Sequence, residues 1–188
     1  FQGNAISSGA GGYDIDNSCR FNNADSPNLD RGSISPTSPH TVSLWVKRGD
    51  LGRRNIIWAI NAADTLEFTV DDYLSWQRAP DTVTTTQRFR DTASWYHIVC
   101  KSESGAFYLY VNNVLVASNA SSTANPYSAG DMHIGSNSPD AYISAATSLH
   151  GYLAEFHWID GTALDPDSFG EVDATYGHWK PIEVTGLT

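Results

Sequence analysis

Apolar and polar residues alternate with a period of two along most of the chain. In Thr41-Val42-Ser43-Leu44-Trp45-Val46-Lys47 the alternation puts Val42, Leu44 and Val46 on one side, as a half-buried strand requires. Residues 65–70 repeat the alternation, and residues 55–60 form a short apolar run. Residues 82–89 are rich in Thr and Val, which suit a pleated surface, and residues 96–100 read as another strand. Phe107-Tyr108-Leu109-Tyr110-Val111 and Val114-Leu115-Val116-Ala117 flank Asn112-Asn113. That spacing predicts a two-residue type I′ hairpin, because Asn tolerates the positive φ that both turn positions need. Further strands are expected at 131–135 and 151–159. About eleven short strands, separated by Gly/Ser/Asn/Pro clusters, predict an antiparallel sandwich rather than a βαβ fold. One helical turn is expected near 166–169, where Asp165 can cap, Pro166 starts and Gly170 ends it. Residues 4–17 and 119–130 read as loops, and there is no repeat and no interdomain linker.

Composition narrows the picture. The chain has 188 residues, 40% hydrophobic and 12% aromatic, so it can bury a core and is not a disordered segment. Only 17% of residues are charged, which argues against a coiled coil or helical bundle. No apolar run approaches the roughly 20 residues of a membrane-spanning helix. The net charge is −10, nearly all of it carried by residues 91–188. Such a chain is repelled by phosphate backbones and anionic lipid, so neither nucleic acid nor membrane insertion is expected. Lys47, Arg48, Arg53 and Arg54 form one basic cluster around Gly49-Asp50-Leu51-Gly52 and read as a solvated hairpin tip, with an acidic-polysaccharide contact as the sharper alternative. Cys19 and Cys100 leave two readings open: buried free thiols acting as small apolar groups, or one disulfide. Phe1-Gln2-Gly3 reads as the remnant of a cleavable tag, leaving 4–188 as a single domain.

Several of these segments together resemble laminin-G-like, concanavalin A-like jelly-roll domains. Thr41–Arg48 resembles an early strand, Ser94-Trp95-Tyr96-His97-Ile98-Val99 a central one, and Phe107–Val114 the hairpin, with Asn113 where Gly is usual. A narrower likeness, to modules of bacteriophage and marine-virus tail and structural proteins, rests on Gly151–Gly161, Ala163-Leu164-Asp165-Pro166, Ser168–Glu171 and Trp179-Lys180-Pro181. The resemblance spans residues 18–186 and implies an all-β jelly roll of two antiparallel sheets. It also implies a virion, extracellular setting with host-surface glycan and other virion proteins as partners. Laminin-G-like domains often hold one calcium ion, and Asp25 and Glu155 are the acids this would involve.

Catalysis is not expected. Retaining glycoside hydrolysis needs two carboxylates about 5 Å apart. The closing strand offers Glu155, His157 and Ile159 in register, and so a single acid. Strict alternation there puts Tyr152, Ala154, Phe156 and Trp158 on one face. No zinc-like His spacing, phosphate loop or Ser-His-Asp arrangement is readable. Sugar recognition instead needs exposed aromatic platforms beside a few polar groups. Trp45, Trp95, Trp158 and Trp179 read as core or structural. Trp76 with Arg78 is the candidate platform, and Asn137, Asp140 and Tyr142 the candidate rim. The sequence therefore predicts a non-catalytic carbohydrate-binding or adhesion module. The alternative is a structural or oligomerisation module of the virion with no glycan affinity.

Overall fold

The computed structural model describes residues 12–61, 64–122, 129–137 and 143–187. Fourteen strands run in chain order: β1 (Cys19–Phe21), β2 (Leu29–Ile34), β3 (His40–Arg48), β4 (Asn55–Ile60), β5 (Asp64–Phe68), β6 (Tyr73–Arg78), β7 (Asp81–Arg88), β8 (Tyr96–Glu103), β9 (Ala106–Val111), β10 (Val114–Asn119), β11 (Gly130–Ile134), β12 (Gly151–Asp160), β13 (Gly170–Val172) and β14 (Trp179–Pro181). Two six-stranded antiparallel sheets form the sandwich, in the orders β1-β12-β3-β8-β9-β10 and β2-β11-β4-β5-β6-β7. The antiparallel sandwich expected from the alternating pattern is therefore present, as is the jelly roll that the resemblance implies. The helical turn is a 3-10 turn at Pro166–Ser168, and a second one, Asn23–Asp25, follows β1.

The core lies between the sheets. Val42, Leu44 and Val46 of β3 face Leu66, Phe68 and Trp76 of the second sheet, all six buried. The hairpin forms as expected, with Val111 opposite Val114 and φ of 48° and 65° at Asn112 and Asn113. A smaller apolar cluster sits on the outer face of the first sheet. There Trp45 and Ala154 are covered by Tyr13 and Ile15 from the N-terminal side and Trp179 from the C-terminal side.

The basic cluster is not a solvated tip. Arg48 continues the inward row of β3, is 2% exposed, and pairs with Asp72 at 3.0 Å. Arg53 pairs with Asp50, and Arg54 with Glu67. Three of the four cationic side chains are thus paired with acids, and Lys47 is the one with no ion pair among the described residues. The thiols also split: both are free, but Cys19 lies exposed on the edge strand β1 while Cys100 is buried.

One edge of the sandwich is closed and the other open. At the closed edge β10 approaches β7. At the open edge β1 is three residues long and pairs only with Gly151–Leu153. Beyond Leu153, β12 has no strand on that side among the described residues, and β2 is the outer strand of the facing sheet.

Candidate functional site

A groove follows that open edge. It has two lobes, of about 410 and 510 Å³, which share Ile134 and Phe156 in their walls. One lobe is apolar, walled by Phe21, Leu29, Leu153 and the shared pair, with Ser18, Cys19 and Glu155 at its margin. The other is mixed: Trp158 and Met132 give apolar surface, and Arg31, Ser33, Ser35 and Asp160 give polar groups.

A bulge in β12 shapes this groove. Ala154 pairs with Trp45 and His157 with Ser43, so Glu155 and Phe156 together oppose Leu44. Glu155 takes the left-handed conformation, φ 47°. A bulge adds one residue and shifts the alternation beyond it. Leu153 and, past the bulge, Phe156 and Trp158 consequently all pack against the main core, whereas Ala154 lies in the outer cluster. This corrects the strict alternation, which groups Ala154 with Phe156 and Trp158. After the bulge Phe156, Trp158 and Asp160 stand at i, i+2 and i+4, and all three line the groove. Behind Phe21, Gly135 at φ +86° leaves room for the ring; a Cβ there would lie 2.2 Å from it.

Trp158 is held from behind. His40 stacks on it at 5.6 Å with planes 4° apart, and Trp58 meets it edge-on at 5.5 Å. His40 Nδ1–H donates to the Thr37 carbonyl, 3.1 Å. Burial, and then the nearby Arg78 charge, hold the imidazole down at about 4, so it is neutral under ordinary conditions. Asp160 Oδ1 accepts from both Thr37 N–H (2.7 Å) and Thr37 Oγ1 (2.9 Å), which fixes the carboxylate at the groove mouth. The site thus offers a rigidly backed indole, an oriented carboxylate, an exposed guanidinium and two hydroxyls.

Of the ligand-binding residues expected from sequence, the three that are described do not line this groove. Trp76 is 0% exposed, packed against Phe107 at 5.1 Å and edge-on to His40, so it is a core residue and not a platform. Arg78 is 2% exposed, lies over the Phe107 ring at 4.5 Å and donates to Ser102 Oγ at 2.7 Å. Both follow from parity: Leu74, Trp76 and Arg78 share the inward face of β6. Asn137 is buried at 9%, and Asp140 and Tyr142 lie outside the described residues. The groove residues that the sequence reading did not single out for binding are Phe156, Arg31 and Asp160, together with Trp158, which it took as core or structural. The i, i+2, i+4 row of Phe156, Trp158 and Asp160 was readable in the sequence. That it faces an open edge was not, because openness depends on how short β1 is.

Asp25 and Glu155, the acids expected for calcium, each make contacts of their own. Asp25 is exposed and accepts from Asn22 Nδ2 at 2.8 Å. Both oxygens of Glu155 are engaged, Oε1 by Tyr13 OH at 2.9 Å and Oε2 by His157 Nε2 at 3.0 Å. Burial, reinforced by Glu155, pushes the Tyr13 phenol up to about 12, so it remains a donor to this carboxylate. Among the described residues no three His, Cys, Asp or Glu side chains are grouped to hold a metal ion.

A Ser–His contact does occur, between Ser43 Oγ and His97 Nε2 at 2.8 Å. Its polarity is the reverse of a nucleophile–base pair. The Trp179 indole N–H can only donate, and it points at His97 Nδ1 from 2.9 Å. Nδ1 is therefore the acceptor, Nε2 carries the proton, and Nε2–H donates to Ser43. Burial, with a contribution from His157, holds His97 down at about 3. The imidazole is structural, sandwiched between Trp45 and Trp179.

The architecture is that of a lectin-like jelly roll with a groove along one edge. The sequence matches the concanavalin A-like lectin/glucanases superfamily over residues 21–168, and the chain belongs to that superfamily. No curated protein matches the sequence. Among solved structures it is similar to a native heptameric SAP-like pentraxin from Limulus polyphemus (TM-score 0.58, 16% identity, 86% of this chain and 82% of that one). It is also similar to the CBM40 of a Ruminococcus gnavus IT-sialidase bound to α2,3-sialyllactose (TM-score 0.55, 11% identity, 76% and 95% covered). A third is domain 4 of an extracellular arabinanase from Geobacillus stearothermophilus in complex with arabinotriose (TM-score 0.53, 19% identity, 74% and 69% covered). At these identities the likeness concerns the fold.

Proposed function

We propose that the domain is a non-catalytic carbohydrate-binding module whose sugar lies in the mixed lobe, against Trp158. The observation that carries this is the rigidly backed Trp158 in a groove with Arg31, Asp160, Ser33 and Ser35. A pyranose presents apolar C–H faces to an indole, and its hydroxyls need fixed donors and acceptors around that platform. Asp160 accepts, Arg31 donates, and the two serines do either. Two domains of the same fold are known with sugars bound, a sialyllactose and an arabinotriose, which supports the class of ligand. The finer reading is attachment to host-surface glycan by a tail-associated protein of a phage or marine virus. Its support is the likeness of Gly151–Gly161 and the segments after it to such modules.

The test is a glycan-array screen of the domain displayed as a multimer, since joining weak sites raises avidity by about 10²–10⁴. Saturable binding lost in Trp158→Ala and in Arg31→Ala is the expected result. Running the screen with calcium and with a chelator separates direct recognition from a cation-bridged mode. Absence of binding to any glycan or to intact host cells would leave the structural-module reading in its place.

A further inference from the structure

The apolar lobe gives this site a second specificity. We infer that the groove takes an esterified sugar, with the sugar ring on Trp158 and the acyl group in the lobe formed by Phe21, Leu29, Leu153 and Phe156. This rests on the carbohydrate reading above and extends it to the ligand's substituent.

Three observations lead there. The two lobes adjoin, sharing Ile134 and Phe156 in their walls, so one ligand reaching past these side chains would touch both. Their chemistry differs, from charged and hydroxyl groups beside Trp158 to a mainly aliphatic and aromatic wall beyond Phe156, in which Asn17, Ser18, Cys19 and Glu155 are the polar members. An unsubstituted sugar would leave most of that apolar wall uncovered, and burying apolar surface is what an acyl chain adds. Finally, Ser18 stands on the wall of the apolar lobe with its Oγ buried and without a hydrogen-bond partner among the described residues. A buried hydroxyl without a partner carries a desolvation cost until something pairs with it. Rotated about χ1 toward the lobe, this hydroxyl would donate to an ester carbonyl, the acceptor carried at the junction between a sugar and an apolar chain. An unsubstituted fatty chain offers nothing to Arg31 and Asp160, and a plain sugar covers the apolar wall less fully than an acyl chain does.

The probes are glucose and its 6-O-acetyl, 6-O-butanoyl and 6-O-octanoyl esters, kept below micelle-forming concentrations, with 1-octanol as the sugar-free control. Binding is followed by titration calorimetry and by protection of Cys19 from alkylation. Cys19 lines the apolar lobe and is exposed, while Cys100 is buried, so the label reports this lobe alone. Affinity is expected to rise with chain length by roughly fourfold per buried methylene until the lobe is full, at about 0.8 kcal/mol each. Cys19 is expected to become protected in step. Leu29→Asp, at a position 49% exposed and so tolerant of the change, is expected to flatten the series. Ser18→Ala is expected to lower affinity for the esters more than for glucose. Binding of glucose that does not change with chain length, with Cys19 still reactive, would overturn the inference and leave the sugar reading standing. Equal binding of 1-octanol and the octanoyl ester would overturn it as well, by showing an apolar site in which the sugar plays no part. If none of these probes binds and the array is blank, both readings fall.

Discussion

Two buried arginines end the core in opposite directions. Arg48 leaves the first sheet to lie over Phe68 of the second at 4.4 Å, and Arg78 leaves the second to lie over Phe107 of the first at 4.5 Å. An Arg at the end of an inward row keeps its stem in the core while its guanidinium takes an aromatic face and a polar partner. For Arg48 that partner is Asp72, which also accepts from Gly52 N–H at 3.0 Å and Arg90 Nε at 2.9 Å. Burial would raise the Asp72 carboxyl, but the Gly52 N–H, Arg90 and Arg48 hold it below the usual carboxylate range. Asp72→Asn is therefore expected to cost about 3–5 kcal/mol in urea unfolding, because it leaves Arg48 buried and unpaired. The two tryptophans offer a sharper contrast. Trp76→Ala is expected to destabilise the fold by about 3–5 kcal/mol. Trp158→Phe, which keeps an aromatic ring, should change stability far less but weaken sugar binding. If Trp76→Phe, rather than Trp158→Phe, abolished binding in a folded protein, the assignment of the platform would be wrong. Parity alone marks Trp76 as inward once Leu74 is taken as core. Its neighbour Arg78 made the pair look exposed, because a charged end is usually solvated.

Among the elements, β12 does most to shape the groove. Its bulge depends on Glu155 at φ 47°, a conformation costing a non-glycine residue roughly 1 kcal/mol or more. The Tyr13 and His157 contacts to its carboxylate offset that cost and anchor the N-terminal segment to the strand. Comparing Glu155→Ala with Glu155→Gly isolates the backbone part, since both lose the carboxylate. The glycine variant is expected to be the more stable by about 1 kcal/mol in chemical denaturation. Equal stability would mean that the bulge relaxes without the carboxylate. The Asn112-Asn113 turn was legible from the sequence because its geometry is local and only a few residue types tolerate it. The bulge was not, because a Glu within an alternating run gives no local sign that two residues will oppose one.

At the scale of the whole molecule, His40, His97 and Asp64 are buried titratable groups that tie stability to pH between about 4 and 7. His40 and His97 sit well below the ordinary histidine value, at about 4 and about 3, so the unfolded chain binds protons there that the folded one does not. Their contribution is fully present above the unfolded value near 6.5 and is lost as the pH falls toward 4 and 3. Asp64 acts with the opposite sign. Burial raises it to about 6, so it favours the folded state as the pH falls from about 6 to its unfolded value near 4. Between pH 6 and 4 two histidines oppose one aspartate. The net expectation is a loss of stability with acidification, at a slope of about one proton, or roughly 1.4 kcal/mol per pH unit. Urea midpoints measured from pH 7 to 4 check this, and His40→Leu should flatten the slope over that range. A stability that rises on acidification would contradict the buried, neutral histidines. The outer cluster depends on the same chemistry, since Trp179 holds β14 to the first sheet through an acceptor nitrogen that protonation would remove.

What the sequence determined is whatever rests on short-range pattern. The two-sheet class, most strand positions, the type I′ turn and the inward rows of β3 follow from side-chain parity and local backbone preference, which act over a few residues. Tertiary structure alone decided where the sandwich is open. That depends on β1 stopping at Phe21, on the extra residue at Glu155, and on β2 lying across from a stretch of β12 that has no partner strand on that side among the described residues. These segments are more than a hundred residues apart in the chain for β1 and β12, and no local pattern encodes their meeting. The same reason places Trp158 in the groove and Trp76 in the core: both are tryptophans on inward rows, and only the presence or absence of a neighbouring strand distinguishes them.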